Sequence, residues 1–237
     1  MVRVLVTRPE PGASKTARRL EEQGFQPIVL PLTATKALQV EAKVVGNAVA
    51  VAVTSANAVR HAPKDLIAAL AGLPCHAVGK RTAEACRAVG FSTVSEGPGD
   101  AEALAEMLAA DLAGQAIAYL CGRVRFPAFE ERLAAAGVRV HAIETYDTVQ
   151  LDYPDAEILA LLSGEPVEAV LLYSANAATA IASLAGRPGL HSLFAKTVFF
   201  ALSGRVAKAL QGIGNERIRI APRPDEDALL KLLPPPG

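Results

Sequence analysis

The sequence carries no excess of charge of either sign: among 237 residues, lysine and arginine number 24 and aspartate and glutamate number 24. With no net positive field, nonspecific capture of nucleic acid or of an anionic membrane surface is excluded as a mode of action, and any anion has to be held by a local arrangement of donors. Cysteine is scarce too. Cys75, Cys86 and Cys121 are odd in number and lack CxxC spacing, which argues against a disulfide framework and a zinc ribbon and leaves small buried hydrophobes as their expected role. No apolar stretch approaches the ~18 residues of a membrane span, and the run from Met1 to Val6 is too short for a signal-peptide core, so a cytoplasmic protein is expected. His61, His76, His141 and His191 are scattered without metal-ligand spacing and read as ordinary surface or core histidines. No GxGxxG opens a helix, and neither GxxxxGK[ST] nor GxSxG occurs, so dinucleotide, P-loop and nucleophile-elbow readings lose their main support.

What is present is ample apolar material. Hydrophobic residues make up 51% and charged residues 20%, which suits packed cores and excludes a disordered chain. At ~150 residues per domain the length favours two modest domains. Short β-branched runs alternate with segments of helical period, the pattern of an α/β protein with parallel sheets. Strands are predicted at 2–7, 27–30, 48–54, 76–78, 92–94, 116–120, 138–143, 169–173, 197–202 and 217–220. Helices fill most gaps. At 127–137, Pro127 suits a first turn, Phe129, Leu133 and Ala136 share a face, and Gly137 suits the stop. At 100–112, Asp100 can cap a helix whose stripe is Ala101, Leu104, Leu108 and Leu112.

The chain also repeats itself. Ser55-Ala56-Asn57-Ala58 returns 119 positions later as Ser174-Ala175-Asn176-Ala177, each time directly after a predicted strand. Ala83, Ala85 and Gly90 match Ala207, Ala209 and Gly214 at 124 positions, and Leu20 and Gly24 match Leu133 and Gly137 at 113. The order is short unit, long unit, short unit, long unit, which suggests two related α/β domains without saying which short unit joins which long one. Residues 31–42 and 144–154 lack a clean core pattern and are the expected crossings between domains. Two crossings make one domain discontinuous and permit hinge motion.

In parallel α/β sheets ligands bind beyond the carboxyl ends of the strands. The residues there read Thr7-Arg8-Pro9, Thr54-Ser55-Ala56-Asn57, Gly79-Lys80-Arg81-Thr82, Cys121-Gly122-Arg123, Tyr173-Ser174-Ala175-Asn176 and Ser203-Gly204-Arg205. Small hydroxyl, amide and glycine residues let helix N-terminal amides face a ligand and favour carboxylate or phosphate, and Arg8, Arg123 and Arg205 add long charged donors. Plain helix capping explains any one such turn; the collection points to a polyanion. Tyr146 lies in the second crossing, which would set it near an interdomain cleft. Phenols, with an ordinary pKa near ~10, keep their proton at neutral pH and can donate it to a leaving oxygen, though a tyrosine that packs a linker is an equal reading.

These residues resemble the uroporphyrinogen-III synthase family: VLVTRP at 4–9, VTSANAV at 53–59, VGKRTA at 78–83, Tyr146-Asp147-Thr148, and ALSGRVAKAL from Ala201. The resemblance implies two flavodoxin-like parallel-sheet domains joined by a two-stranded linker, one from residues 1–33 with 152–237 and the other from 36–145. It implies a cofactor-independent lyase, with no metal, that takes the tetrapyrrole precursor hydroxymethylbilane, expels its hydroxyl, inverts ring D through a spiro intermediate and closes the macrocycle. By the same resemblance Tyr146 assists hydroxyl departure, and Ser55 and Thr82 fall on hydroxyl positions that line the site. The other residues expected to contact substrate are Thr7, Arg8, Asn57, Gly79, Arg123, Ser174, Ala175, Asn176, Ser203, Gly204 and Arg205. The last turn departs from the family's GPTTA: Ser203-Gly204-Arg205-Val206-Ala207 stands there, so either Arg205 takes over a carboxylate contact or activity has diverged. The partner implied is the small-molecule substrate alone, with neither nucleic acid nor membrane, and a monomer is the working state. The competing reading is a non-catalytic cytoplasmic two-domain sensor of a polycarboxylate. A tandem phospho-receiver is weaker, because Thr7-Arg8 and Thr54-Ser55 stand where its aspartates would be.

Overall fold

The computed structural model describes residues 1–40, 46–125 and 127–235. In chain order the elements are β1 (Arg3–Val6), α1 (Gly12–Glu22), β2 (Gln26–Val29), β3 (Thr33–Ala37), β4 (Ala50–Val53), α2 (Ala56–Arg60), α3 (Lys64–Leu70), β5 (Cys75–Ala77), α4 (Lys80–Val89), β6 (Val94–Glu96), α5 (Ala101–Asp111) and β7 (Ala116–Gly122). Then follow α6 (Ala128–Ala135), β8 (Arg139–Gln150), α7 (Asp155–Leu161), β9 (Ala169–Leu172), α8 (Ala175–Ala185), α9 (His191–Phe194), β10 (Val198–Ala201), α10 (Gly204–Ala207), β11 (Ile218–Ile220) and α11 (Glu226–Leu230). The chain divides into two compact units, Met1–Ala34 with Val149–Gly237 and Thr35–Thr148.

The first unit holds a sheet in the order β11-β10-β9-β1-β2, with every pairing parallel. The second holds β3-β8-β7-β4-β5-β6, in which the five strands from β8 to β6 are parallel. Apart from β3, the two sheets have one spatial plan. A three-strand series (β9, β10, β11 or β4, β5, β6) lies beside a two-strand series (β1, β2 or β7, β8), joined through the first strand of each. The internal repeat now has its explanation: each sheet takes its short unit from one repeat and its long unit from the other. Chain order is therefore flavodoxin-like in the first unit and permuted in the second, while the arrangement in space is the same.

Strand alternation fills both faces of each sheet. Leu5 points to a core with Val170, Ile181 and Phe199, whereas Val4 and Val6 pack with Leu20, Leu171 and Leu229. In the second unit Val51 and Val53 join Leu66, Leu70 and Cys86, and Ala50 and Ala52 join Leu104, Leu108, Phe129 and Leu133. Sheets covered on both faces demand continuous apolar strands, which is why AVAV and AVLL, and Val4 to Val6 of β1, are buried throughout. The predicted caps also hold: Asp100 accepts from the Ala103 amide at 2.8 Å, and Gly137 turns left-handed (φ 78°) after α6.

At the expected crossings, residues 33–37 form β3 and β8 runs on to Gln150 instead of ending at 143, so the two segments pair as the two-stranded linker that the resemblance implies. β3 is an edge strand paired only with β8, and its burial falls from Thr33 to an exposed Lys36 and Ala37, so no alternating core stripe exists to be read. The pairing is antiparallel, from the Leu151 amide on the Leu32 carbonyl to the Leu38 amide on the Thr145 carbonyl. Residues 41 and 42, the end of the first expected crossing, lie outside the described residues. The strand expected at 92–94 is displaced to Val94–Glu96.

Phe129, 1% exposed, sets its ring 4.5 Å from that of Tyr119 and fills one face of the second sheet. Phe129→Ala is expected to cost about 3–5 kcal/mol of stability in urea unfolding followed by far-ultraviolet circular dichroism. A cost below about 1 kcal/mol contradicts this packing.

Candidate functional site

Strand order reverses between β4 and β7 in the second unit, which places the ligand crevice of an open α/β sheet at their carboxyl ends, Thr54-Ser55 and Gly122-Arg123. The neighbouring strand brings Tyr146 to that point through an irregularity. Cys121 stands opposite Glu144 and Gly122 opposite Tyr146, so Thr145 is an extra residue in the ladder. Thr145 is fully buried and its hydroxyl donates to the Ala58 carbonyl at 2.6 Å, which holds the bulge against α2. A bulge re-aims the residue that follows it. Here the Tyr146 phenol donates to Ser55 Oγ at 3.2 Å.

Gly122 makes this approach possible. A Cβ on Gly122 would lie 2.7 Å from Tyr146 Cζ and 2.9 Å from its Oη. Its backbone is not left-handed, so close approach alone calls for glycine. Ser55 Oγ also accepts from the Asn57 amide at 3.2 Å, capping α2, and therefore takes two donors while its own proton stays available. The His61 ring lies 5.9 Å from the Tyr146 ring, and its Nε2 is 2.9 Å from Thr35 Oγ1. Burial, helped by the charge of Arg60, lowers the His61 pKa and favours the neutral ring. Beneath the crevice, Thr54 Oγ1 and Tyr119 Oη are 2.8 Å apart, and burial pushes the Tyr119 phenol up to about 12.

The Arg123 amide is bonded to the Tyr146 carbonyl, and its guanidinium reaches Glu144 and Asp147, each at 3.2 Å. Its side chain is 55% exposed, and exposed pairs of this kind are worth about 0–1 kcal/mol, so an incoming carboxylate can recruit it. Arg125 binds Glu144 more closely, at 2.8 Å, and is the first cause that holds that carboxyl below its ordinary range, with Arg123 adding to it. One strand over, Gly79 begins α4 without a side-chain cap, and Thr82 is buried in the first turn.

In the first unit Ser174 caps α8 by accepting from the Ala177 amide at 3.2 Å; Ala175 is half-buried and Asn176 exposed. Ser203 stands extended before α10 without a side-chain cap, and Gly204 and Arg205 are exposed. Thr7 is a correction. It is fully buried and its hydroxyl donates to the Leu171 carbonyl at 2.7 Å, so it braces β1 against β9 and leaves the set that can face a ligand. Arg8 lies over the Tyr173 ring, 4.2 Å from its centroid, and donates to Glu226 Oε1 at 3.0 Å. Thr16 and Tyr173 donate to the same oxygen. Sequence reasoning missed Glu226, which lies 218 positions from Arg8 and sits in no motif. It also passed over Gly122 as more than a turn residue, although a glycine ending an apolar strand was a readable sign of close approach.

A profile of the family described as uroporphyrinogen-III synthase HemD matches residues 14–231. Among solved structures, uroporphyrinogen-III synthetase from Helicobacter pylori is similar with a TM-score of 0.68 and 18% identity, over 98% of this chain and 98% of that one. A mutant uroporphyrinogen III synthase from the extremely thermophilic bacterium Thermus thermophilus is similar with a TM-score of 0.53 and 21% identity, over 89% and 88%. At such identities the likeness is one of fold. No curated protein matches the chain.

Gly122→Ala is expected to lower stability by about 1–3 kcal/mol by driving the new methyl into the Tyr146 ring. In a Tyr146→Ala background the same change should cost at least about 1 kcal/mol less, measured as a double-mutant cycle in urea. Equal cost in both backgrounds contradicts the close approach.

Proposed function

This chain belongs to the uroporphyrinogen-III synthase family, and we propose that the Tyr146 phenol, held on Ser55 over Gly122, assists the step in which the linear substrate loses its hydroxyl. The family's enzymes cyclise hydroxymethylbilane, which makes this chain a lyase of tetrapyrrole biosynthesis. The observation that carries the reading is the 3.2 Å hydrogen bond from Tyr146 to Ser55 at the switch crevice between β4 and β7.

In this reading Ser55 orients the phenol in the resting site, and substrate turns the phenolic proton from Ser55 to the hydroxyl of the bilane. That hydroxyl departs as water when the C–O bond breaks. The electron-poor methylene carbon left behind is attacked by the substituted α-carbon of ring D, giving a spiro intermediate. The bond from that α-carbon to its old methylene bridge then breaks, the freed bridge bonds to the other α-carbon of ring D, and the proton lost from this second carbon restores the Tyr146 phenol. Inversion of ring D requires the ends to be held close and ring D turned, and positioning of this kind supplies a large share of a cyclisation barrier, up to ~7–11 kcal/mol in well-oriented systems. Acid help from Tyr146 is secondary.

The acetate and propionate arms call for several anion contacts, which are assigned here to the turns Asn57, Gly79 and Thr82 with Arg123 in the second unit. In the first they are assigned to Ser174, Ala175 and Asn176, to Ser203, Gly204 and Arg205, and to Arg8. Arg205 supplies the charged contact where the family usually places threonines. The protein is proposed to act in the cytoplasm as a monomer on the free bilane, without nucleic acid. The balance of 24 basic and 24 acidic residues supports the last point, and among the described residues no helix is long and apolar enough to cross a membrane.

Tyr146→Phe is expected to lower kcat about 10- to 100-fold with product affinity nearly intact, in assays that follow oxidised porphyrin from fresh hydroxymethylbilane. Unchanged kcat removes Tyr146 from the mechanism. Arg205→Ala is expected to raise KM about 3- to 10-fold, as loss of a charge-assisted contact does. Unaltered KM and kcat would leave Arg205 without a role in binding.

A further inference from the structure

The first unit has a switch crevice of its own, between the carboxyl ends of β1 and β9 where its strand order reverses. An anion already sits there, and it belongs to the protein. Glu226 Oε1 accepts from Arg8 at 3.0 Å, from the Thr16 hydroxyl at 2.5 Å and from the Tyr173 phenol at 2.9 Å. Its second oxygen lies 3.2 Å from Arg19. We infer that Glu226 is an internal stand-in for a substrate carboxylate: Arg8, Thr16 and Tyr173 form a carboxylate cradle that Glu226 closes and that an arm of the tetrapyrrole opens by displacing it.

Three features support this. The donors come from three different elements, the turn after β1, helix α1 and the turn after β9, and all converge on one oxygen. Such convergence is the geometry of anion recognition, whereas a surface ion pair needs only one partner. Thr16 is fully buried and Tyr173 partly so, and both hydroxyls direct their protons at this one carboxylate oxygen. With the Arg8 guanidinium converging on the same oxygen, the cradle favours an anion, supplied from within or from outside. Glu226 itself can leave. Its side chain is 27% exposed, and it sits on the first turn of the five-residue helix α11, whose start is fixed independently by Asp225 capping the Ala228 amide and by Asp227 on Arg19.

Burial alone would raise the Glu226 carboxyl, but the hydrogen bonds from Thr16 and Tyr173 and the charges of Arg8 and Arg19 outweigh it, and the group is held below its ordinary range. At neutral pH the occupant is thus a full anion, and displacement exchanges one carboxylate for another without a net change of charge in the cradle. The corresponding crevice of the second unit differs: there the Tyr146 hydroxyl donates to Ser55 Oγ instead of to a carboxylate.

The inference rests on the proposed substrate, a polycarboxylate. It is tested with the full chain by calorimetric titration of uroporphyrin III, the oxidised octacarboxylate product, into wild type, Glu226→Gln and Arg8→Gln/Glu226→Gln, each checked for native circular dichroism. Loss of the internal anion is expected to tighten binding about fivefold, and the double variant is expected to lose that gain. A folded Glu226→Gln protein that binds no tighter than wild type overturns the inference, since a purely structural clamp would lower the melting temperature and nothing else. Should Glu226→Gln not fold, wild type labelled at arginine nitrogen decides. The Arg8 Nε resonance, identified by its loss in Arg8→Lys, must move on saturation with uroporphyrin III, and a stationary signal overturns the inference. Failure of the underlying reading looks different: wild type would then form no type III isomer from hydroxymethylbilane. Type III formation by a protein whose Glu226→Gln variant gains no affinity overturns the role of Glu226 alone.

Discussion

Each sheet hangs on a single parallel pairing between strands of different repeats, β1 with β9 in one unit and β7 with β4 in the other. A two-strand unit cannot bury its apolar faces alone, and a three-strand unit is left with its first strand open on one side. Joining them through their first strands closes both faces. The same junction is where the direction of winding reverses, and so where helix starts diverge and a crevice opens at the carboxyl ends. Because the short unit at the chain start pairs with the long unit at the chain end, the intervening segment must leave and return, which yields a discontinuous unit and two crossings. Topology, crossings and the position of the candidate site follow from that one choice of partner.

What each crevice contains is decided by details that topology leaves open. At the end of β7, one extra residue in the ladder with β8 and one missing Cβ at Gly122 let an aromatic ring swing onto Ser55. At the end of β1 the chain continues as an arginine stacked on Tyr173, and a glutamate from α11 neutralises it. One crevice is thus furnished with a hydroxyl pair, Tyr146 on Ser55, and the other with a satisfied charge pair.

The parts of this arrangement that were legible in the sequence are those written in local patterns. Fully buried strands such as AVAV and AVLL announce themselves by apolar runs, and Asp100, Ser55, Ser174 and Gly137 mark helix ends through chemistry that acts within a few residues. Tyr146 drew notice through its place in the second crossing, and the family resemblance added the expectation that it assists hydroxyl departure. The strand β3 left no mark in the residue pattern, because an edge strand needs no core stripe, and entered only through the two-stranded linker that the resemblance implies. The bulge at Thr145 was illegible because its cause is a hydrogen bond to Ala58, 87 residues away. Thr7 misled for a related reason: a threonine after a strand can cap a helix or brace a neighbouring strand, and only the presence of Leu171 opposite decides which. Glu226 is the extreme case, a charge whose meaning lies entirely in partners brought from the other end of the chain.

The central claim, that this scaffold turns the last pyrrole before it closes the ring, is tested most directly by one ratio. Purified protein is added to freshly generated hydroxymethylbilane, the products are oxidised, and the type III and type I porphyrins are separated against a protein-free control. Unassisted closure gives type I, so the account predicts a protein-dependent excess of type III. Type I alone, from folded protein, would contradict it and leave a polycarboxylate-binding scaffold without the cyclising activity.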